Sequence, residues 1–201
     1  MAGSVQGDCD SAFAPVKDLF QKFLDTDEKL GAFIVVNIDG RTALDLWGGH
    51  RDQARTSPWT HGTLTNVWST TKCVTNLAAM MFADRCQLNL FAPVTTYWPE
   101  FAANGKQNIQ VRHLLSHSSG VSGWEAPSQL RDMFDLKTST EKLATQKPWW
   151  EPGTASDYHA RNQAYLVGEL VRRVSRKSLT QFVAEKIAGP LGGLPNRRVG
   201  K

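Results

Sequence analysis

The chain has 201 residues and a mass of 22.3 kDa, with 41% hydrophobic and 21% charged residues. This composition is that of an ordinary globular protein, and it excludes wholesale disorder and a collagen-like structure. The net charge is only +4. The eight Lys and Arg residues from Arg172 to Lys201 have a single aromatic residue among them, whereas a nucleic-acid-binding face would combine basic with several aromatic residues. We therefore expect no nucleic-acid partner.

Membrane insertion and disulfide formation are not predicted. The apolar stretch Cys73–Ala83 is far shorter than the roughly 20 residues that span a bilayer, and the N-terminal residues lack the basic and apolar segments of a secretory signal. The cysteines, Cys9, Cys73 and Cys86, are odd in number and have no metal-ligand spacing. We therefore expect a cytoplasmic protein without a membrane partner, in which Cys73 is a small buried apolar residue.

The first third of the chain predicts a helix, a β-hairpin and a loop. Apolar residues recur at helical spacing over 11–25. Two β-rich runs, GAFIVVNI and RTALDLWGG, flank Asp39-Gly40, which is a strong hairpin signal. Residues 51–62 are polar and read as a loop.

The remainder predicts mainly helices. A helix is expected from about Ser69 to Arg85, with Cys73, Leu77, Met80 and Met81 among its apolar positions. A helical turn is expected at VRHLLSH and a longer helix from about Arg161 to Val174. Thr138 and Ser178 each precede Glu or Gln by three residues, which predicts that each opens a helix as a capping box. The order of elements indicates an α+β fold.

The motif with the most specific chemistry is Ser69-Thr-Thr-Lys72 at the start of a predicted helix. Residues three apart share a helix face, so the Lys72 amine can reach the Ser69 hydroxyl. A serine hydroxyl becomes a strong nucleophile when an adjacent base removes its proton, and the N-terminus of a helix stabilises a developing oxyanion. By itself the motif is a weak signal, because Ser and Lys are common, and an N-cap serine with a solvated lysine is the more frequent explanation of it.

Four stretches match a known family in the family's own order. The chain resembles the serine β-lactamase-like hydrolases, specifically the carboxylesterase and transesterase branch known as family VIII esterases, and Ser-x-x-Lys is a signature of related penicillin-recognising enzymes. The stretches are VWSTTKCVTNLAAMMFADRCQLNLFAPVTTYWPEF, VRHLLSHSSGVSGW, WWEPGTASDYHARNQAYLVGELVRRVSRKS and FVAEKIAGPLG.

The resemblance implies a catalytic trio. It places the family's nucleophile at Ser69, its lysine base at Lys72 and its catalytic tyrosine at Tyr158, where the phenol acts as acid and base. Penicillin-recognising relatives carry Tyr-x-Asn at this point, whereas this chain has Tyr158-His159-Ala160. The missing amide disfavours a β-lactamase and suits the esterase branch.

Other candidate residues carry weaker signals. Trp124, Trp149 and Trp150 are predicted to line an apolar substrate pocket, with plain packing as the alternative. His113 and His117 are four residues apart but lack the glutamate of a zinc-protease motif, so we expect neither a metal nor a cofactor. Cys86 stands at a helix exit where the family pattern has glycine, and a left-handed conformation there would be strained.

The resemblance also implies what the chain lacks. We expect the N-terminal part and the helical region of the serine β-lactamase/DD-peptidase-like fold, without the C-terminal sheet strands that carry a third motif and an oxyanion-hole N–H. The hairpin is then expected to have no central strands to pair with, and an isolated hairpin is only marginally stable in water. The predicted organisation is one truncated domain, 1–191, with a helix and hairpin in 1–62 and a mainly helical region in 63–191, followed by an unstructured basic tail, 192–201. A partner chain or an oligomer could complete the sheet.

The expected function is that of a serine esterase or transesterase acting on a small-molecule ester through an acyl-Ser69 intermediate. A catalytically inactive truncated relative is the first alternative, and an acyltransferase of secondary metabolism is the second. A β-lactamase is disfavoured by the residues that follow Tyr158.

Overall fold

The computed structural model describes residues 3–193 of the chain, which form the expected α+β fold. Its contacts divide the chain into two compact units that separate between Asn66 and Val67, a few residues beyond the boundary drawn from the sequence. Of the predicted tail, residues 194–201 lie outside the described part of the chain.

The described residues of the first unit form one α-helix, α1 (Ala14–Asp25), and three strands, β1 (Gln6–Cys9), β2 (Gly31–Ile38) and β3 (Arg41–Gly49). The predicted hairpin is confirmed: β2 and β3 pair antiparallel, and Asp39 and Gly40 both have positive φ, as a tight hairpin turn requires. The expectation of an unaccompanied hairpin was wrong, because β1 pairs with the other edge of β3 in the order β1-β3-β2.

The core of the first unit lies between α1 and β3. Phe20 and Leu24 of α1 are buried against Leu44 and Leu46, which point to the same face of β3 because they are two residues apart. Strand β2 is less well covered, and its exposed apolar residues lie on both faces of the strand. These residues are Phe33, Ile34, Val35 and Ile38.

The second unit is helical within its described residues. Its α-helices are α2 (Thr71–Asp84), α3 (Val111–Leu115), α4 (Leu130–Phe134), α5 (Leu136–Thr145), α6 (Gln163–Ser175) and α7 (Leu179–Val183). Ser178 caps α7 with the predicted capping box. Thr138 opens no helix, because α5 begins earlier and its cap is Asp135, whose carboxylate accepts a hydrogen bond from the Lys137 N–H.

The buried face of α2 differs from the predicted one. Cys73 is exposed, and Leu77 and Met80 are each almost half exposed. The face that packs towards α6 is buried instead and comprises Thr75, Ala78, Ala79 and Phe82. These positions also follow helical spacing, and two of them are alanines, which allow two helices to approach closely. The prediction of Cys73 as a buried residue was therefore wrong.

Lys106 is fully buried in the second unit. Its amine donates hydrogen bonds to the carbonyl oxygens of Ala103, at 2.8 Å, and Gln146, and it lies 5.2 Å from the centre of the Phe101 ring. Burial lowers the pKa of Lys106 from 10.5 to about 8, because desolvation penalises the charged ammonium. Between these two values the unfolded chain holds a proton that the folded chain has released.

We therefore expect the free energy of unfolding to rise as the pH increases from about 8 to 10.5. The contribution of Lys106 is at most about 3 kcal/mol, since each pKa unit corresponds to about 1.4 kcal/mol. Lys106→Met, which keeps the length of the side chain without its charge, should remove that part of the slope. Urea denaturation at several pH values tests this, and equal slopes in wild type and variant would contradict it.

Cys86 lies two residues after the end of α2 and has the left-handed conformation, with φ of 54°. A side chain in this region is strained, whereas glycine adopts it freely. Cys86→Gly should therefore stabilise the protein by about 0.5–1 kcal/mol after the greater chain entropy of glycine is counted. Cys86→Ala is the matched control, because it removes the thiol and keeps the strain. Thermal unfolding should separate the two variants, and an equal gain in both would contradict the backbone explanation.

Two further observations concern membranes and metals. No helix within residues 3–193 combines the length and the apolar character needed to cross a bilayer. In the same part of the chain, His, Cys, Asp and Glu side chains form no group of three that could hold a metal ion.

Candidate active site

Ser69 lies in a single 3-10 turn, Trp68–Thr70, which leads directly into α2. Trp68 has a φ of 47°, a left-handed conformation that is rare for a bulky residue. This sharp turn leaves Ser69 exposed at the start of the helix. One turn later, the half-buried Lys72 directs its Nζ to within 3.4 Å of the Ser69 Oγ.

Tyr158 joins these two residues from a segment that is distant in sequence. The Lys72 Nζ lies 4.8 Å from the centre of the Tyr158 ring and donates a 2.8 Å hydrogen bond to the carbonyl oxygen of Ala160. Hydrogen bonds with Ser69 and, to a smaller extent, with Lys72 hold the pKa of Tyr158 below its usual value of 10. The structure thus brings together the three residues that the sequence analysis predicted to be catalytic.

The departure from Tyr-x-Asn has a structural counterpart. The backbone carbonyl of Ala160, at the position where the Tyr-x-Asn pattern of penicillin-recognising relatives has Asn, accepts a hydrogen bond from Lys72. The residue between, His159, is buried; its Nδ1 lies 2.7 Å from the Asp157 carbonyl oxygen and its Nε2 lies 2.7 Å from the Ser119 Oγ. Position 160 therefore anchors the lysine through its backbone, so no amide side chain is needed for that contact.

Two glycines allow the loops around Tyr158 to approach each other. Gly153, with φ of 85°, donates a 2.8 Å hydrogen bond from its N–H to the Ser118 carbonyl. Gly120, with φ of 77°, lies so close to the Trp150 carbonyl that a Cβ would be only 2.6 Å from that oxygen. These positions require glycine for both conformation and space.

The three tryptophans make packing contacts. Trp124 is partly buried, donates its indole N–H to the Ser139 carbonyl at 3.1 Å and packs edge-on against Tyr165. Trp149 is half exposed, and Trp150 donates its indole N–H to the Ala155 carbonyl at 3.0 Å. A role for these residues in a substrate pocket remains a prediction.

His113 and His117 both act as hydrogen-bond acceptors, a use that their spacing in the sequence does not predict. The Nδ1 of His113 accepts a hydrogen bond from the Gln110 N–H, which caps α3. The Nδ1 of His117 accepts one from the His159 N–H, immediately after Tyr158. Their spacing suggested only a metal site, and nothing in the local sequence indicates that His117 contacts a segment about forty residues away.

A separate cavity of about 770 Å³ lies along α5 and α6 and is lined in part by Glu169, Arg172 and Arg173. Both arginines bond the buried Glu169 carboxylate, and Arg173 also pairs with Glu100. Because these charges neutralise one another, we interpret the charged lining of this cavity as a structural ion-pair network. Ser69 does not line the cavity.

Comparison with known proteins identifies the family to which this geometry belongs. Residues 16–195 match the family model described as beta-lactamase. The chain belongs to the beta-lactamase family. An esterase/beta-lactamase of Mycobacterium tuberculosis, LipL, is 34% identical over 187 residues, which is 93% of this chain and 43% of that protein. Esterase EstB of Burkholderia gladioli is 29% identical over 203 residues, covering 92% of this chain and 51% of EstB.

A solved esterase structure has a similar fold over the part that this chain spans. A family VIII carboxylesterase is 40% identical and superposes with a TM-score of 0.85, covering 94% of this chain and 52% of that structure. The resemblance to the esterase branch is therefore confirmed. The chain spans about half the length of the relatives that it matches.

Proposed function

We propose that this chain carries the nucleophile, base and acid of a serine esterase. One observation carries the proposal: the Lys72 amine lies 3.4 Å from the Ser69 Oγ while it is held by the Ala160 carbonyl and faces Tyr158. A nucleophile, a base within reach of it and a group that orients the base are the components of covalent acyl transfer. Catalytic hydrogen bonds often tighten only when substrate binds, so 3.4 Å is compatible with proton transfer.

In the proposed acylation step, the Ser69 hydroxyl loses one proton and the leaving alkoxide gains one. In the reactive protonation state, in which the Lys72 amine is uncharged, this amine takes the Ser69 hydroxyl proton as Oγ forms a bond to the ester carbonyl carbon. The tetrahedral oxyanion then collapses, the bond to the alcohol oxygen breaks, and the Tyr158 phenol donates its proton to the leaving alkoxide. Transfer of the proton from the Lys72 ammonium to the Tyr158 phenolate restores both groups.

Deacylation reverses these roles. Water gives a proton to the Lys72–Tyr158 pair and attacks the acyl carbon, and the Ser69 oxygen leaves and regains its proton. If an alcohol replaces water, the same step yields a new ester. Hydrolysis and transesterification therefore differ only in the acceptor.

The esterase assignment is favoured over a β-lactamase by the residues that follow Tyr158. The Asn of penicillin-recognising relatives is replaced by Ala160, whose carbonyl binds Lys72. The name of EstB and the solved carboxylesterase support the same choice, whereas the name of LipL carries both activities.

Turnover of a short-chain p-nitrophenyl ester by the full chain tests this proposal. We expect hydrolysis by the wild type and none above background for Ser69→Ala. Ser128→Ala is the control, because its hydroxyl hydrogen bonds to the Glu125 carbonyl, away from the candidate site. Equal rates for wild type and Ser69→Ala would overturn the proposal.

Within residues 3–193 no strand pairs with the outer edge of β2, which favours a second candidate, in which the chain turns over ester only after a further polypeptide strand pairs with it. Apolar side chains on both faces of β2 are exposed, and Phe33 and Val35 are each 51% exposed. An apolar groove of about 240 Å³ runs between α1 and β2. A sheet edge with unpaired backbone groups and apolar neighbours is a template for strand addition.

The oligomeric state and the activity of the purified chain distinguish the two candidates. The second candidate predicts that the isolated monomer is inactive and that self-association or an added strand accompanies activity. A monomer that melts cooperatively and hydrolyses the ester would contradict it. Light scattering and thermal unfolding of the sample used for the ester assay provide this comparison.

A further inference from the structure

His117 contacts the chain on both sides of Tyr158. Its carbonyl oxygen accepts hydrogen bonds from the Asp157 N–H and from the Ser156 hydroxyl, both at 3.2 Å. Its side-chain Nδ1 accepts a 3.2 Å hydrogen bond from the His159 N–H. Three bonds from one residue thus hold the turn that carries Tyr158.

The imidazole also lies between two rings. The His117 ring centre is 5.0 Å from that of Tyr158 and 5.2 Å from that of His159. His159 is itself fixed: the Asp157 carbonyl can only accept, so the His159 Nδ1 carries the proton and its Nε2 accepts from the Ser119 hydroxyl. Rotation of the His117 ring is therefore restricted on both sides.

The bond between His117 and the His159 N–H requires an unprotonated Nδ1, because an imidazolium can only donate. The charged and titratable groups around His117 are Lys72 from α2, with Asp157, Tyr158 and His159 from the turn. Burial, followed by the positive charge of Lys72, holds the pKa of His117 below its ordinary value of 6.5, and the carboxylate of Asp157 opposes this. At neutral pH the acceptor is therefore present.

We propose that His117 is a positioning residue for Tyr158: its neutral Nδ1 fixes the turn that places the phenol beside Ser69 and Lys72, and protonation of His117 releases that turn. The ester chemistry of this inference rests on the proposed function, whereas the placement of Tyr158 does not. Its tests therefore use the phenol itself as the reporter.

Two variants separate the acceptor from the backbone conformation. His117 has a φ of 63°, which both asparagine and glycine tolerate. In His117→Asn, the amide oxygen occupies nearly the position of Nδ1 and accepts a hydrogen bond without titrating. His117→Gly keeps the carbonyl contacts but has no side-chain acceptor and no ring.

The first measurement is a pH titration of Tyr158 that is monitored by ultraviolet absorbance. The titration curve of Tyr158→Phe is subtracted to remove the signals of Tyr97 and Tyr165. In the wild type and in His117→Asn, we expect a pKa below that of an ordinary tyrosine. In His117→Gly, the pKa should rise towards about 10, because the phenol no longer stays beside Ser69 and Lys72. An unchanged pKa in folded His117→Gly would overturn the proposal.

The second measurement does not depend on His117→Gly being folded. The NMR ring signals of Tyr158, identified by their absence in Tyr158→Phe, should show a titration step below pH 6.5 in the wild type, where His117 takes up a proton. This step should be missing in His117→Asn. Identical acid titrations in the two proteins would overturn the proposal. Absence of ester turnover in the wild type would contradict the proposed function and would leave both measurements interpretable.

Discussion

Replacing Lys72 with methionine is expected to lower the rate of ester turnover by about 100- to 10,000-fold, the usual contribution of a positioned base. Methionine preserves much of the length and apolar contact of the side chain but cannot take the proton of the Ser69 hydroxyl. The hydrogen bond to the Ala160 carbonyl is also lost. The loss should appear in kcat/KM and in the rate of acylation in a single-turnover experiment.

Lys137→Met is the matched control for this change. Lys137 lies on α5, its side chain is 83% exposed, and its nearest charge partner is Glu141 at 3.9 Å. It should retain wild-type kinetics. If Lys72→Met retained more than about a tenth of the wild-type acylation rate, another group would have to serve as the base.

The largest expected effect on stability is that of Phe101→Ala, which should lower the free energy of unfolding by about 3–5 kcal/mol. Phe101 is completely buried in the core of the second unit, and its ring centre lies 5.0 Å from that of Trp98. It also covers the amine of Lys106. The truncation removes these contacts and leaves a cavity that a close-packed core fills only in part.

Phe134→Ala provides the same chemical change on the surface, because the Phe134 side chain is 84% exposed. Its effect should stay within about 0.5 kcal/mol of zero. Urea denaturation of both variants measures the difference. Equal losses in the two would mean that the burial of Phe101 does not account for the stability of this core.

The hairpin and the pairing of Ser69 with Lys72 could be predicted because each has a local signal. Asp39-Gly40 determines the turn, and the three-residue spacing of Ser69 and Lys72 needs only a helix to bring the two side chains together. Tyr158 was found only through the resemblance to a family, since a lone tyrosine has no pattern of its own. Its position beside Lys72 depends on a fold contact that spans almost ninety residues of sequence.

The other features depend on tertiary context. Strand β1 has four residues and only one strongly apolar side chain, Cys9, so no alternation marks it as a strand. Helix α2 is apolar around much of its circumference, so periodicity alone could not decide between the face of Leu77 and that of Ala78. The Ala160 group that contacts Lys72 is a backbone carbonyl, which every residue type has, so the sequence does not predict this contact.

Labelling of the full chain with a fluorophosphonate tests most directly whether Ser69 is an activated nucleophile. The serine oxygen attacks phosphorus and displaces fluoride, so labelling requires the activated hydroxyl and needs no knowledge of the natural ester. We predict one label per chain, located on Ser69 by peptide mass, lost in Ser69→Ala and strongly slowed in Lys72→Met. Folded wild-type protein that takes up no label, or takes it up equally in Ser69→Ala, would contradict the account.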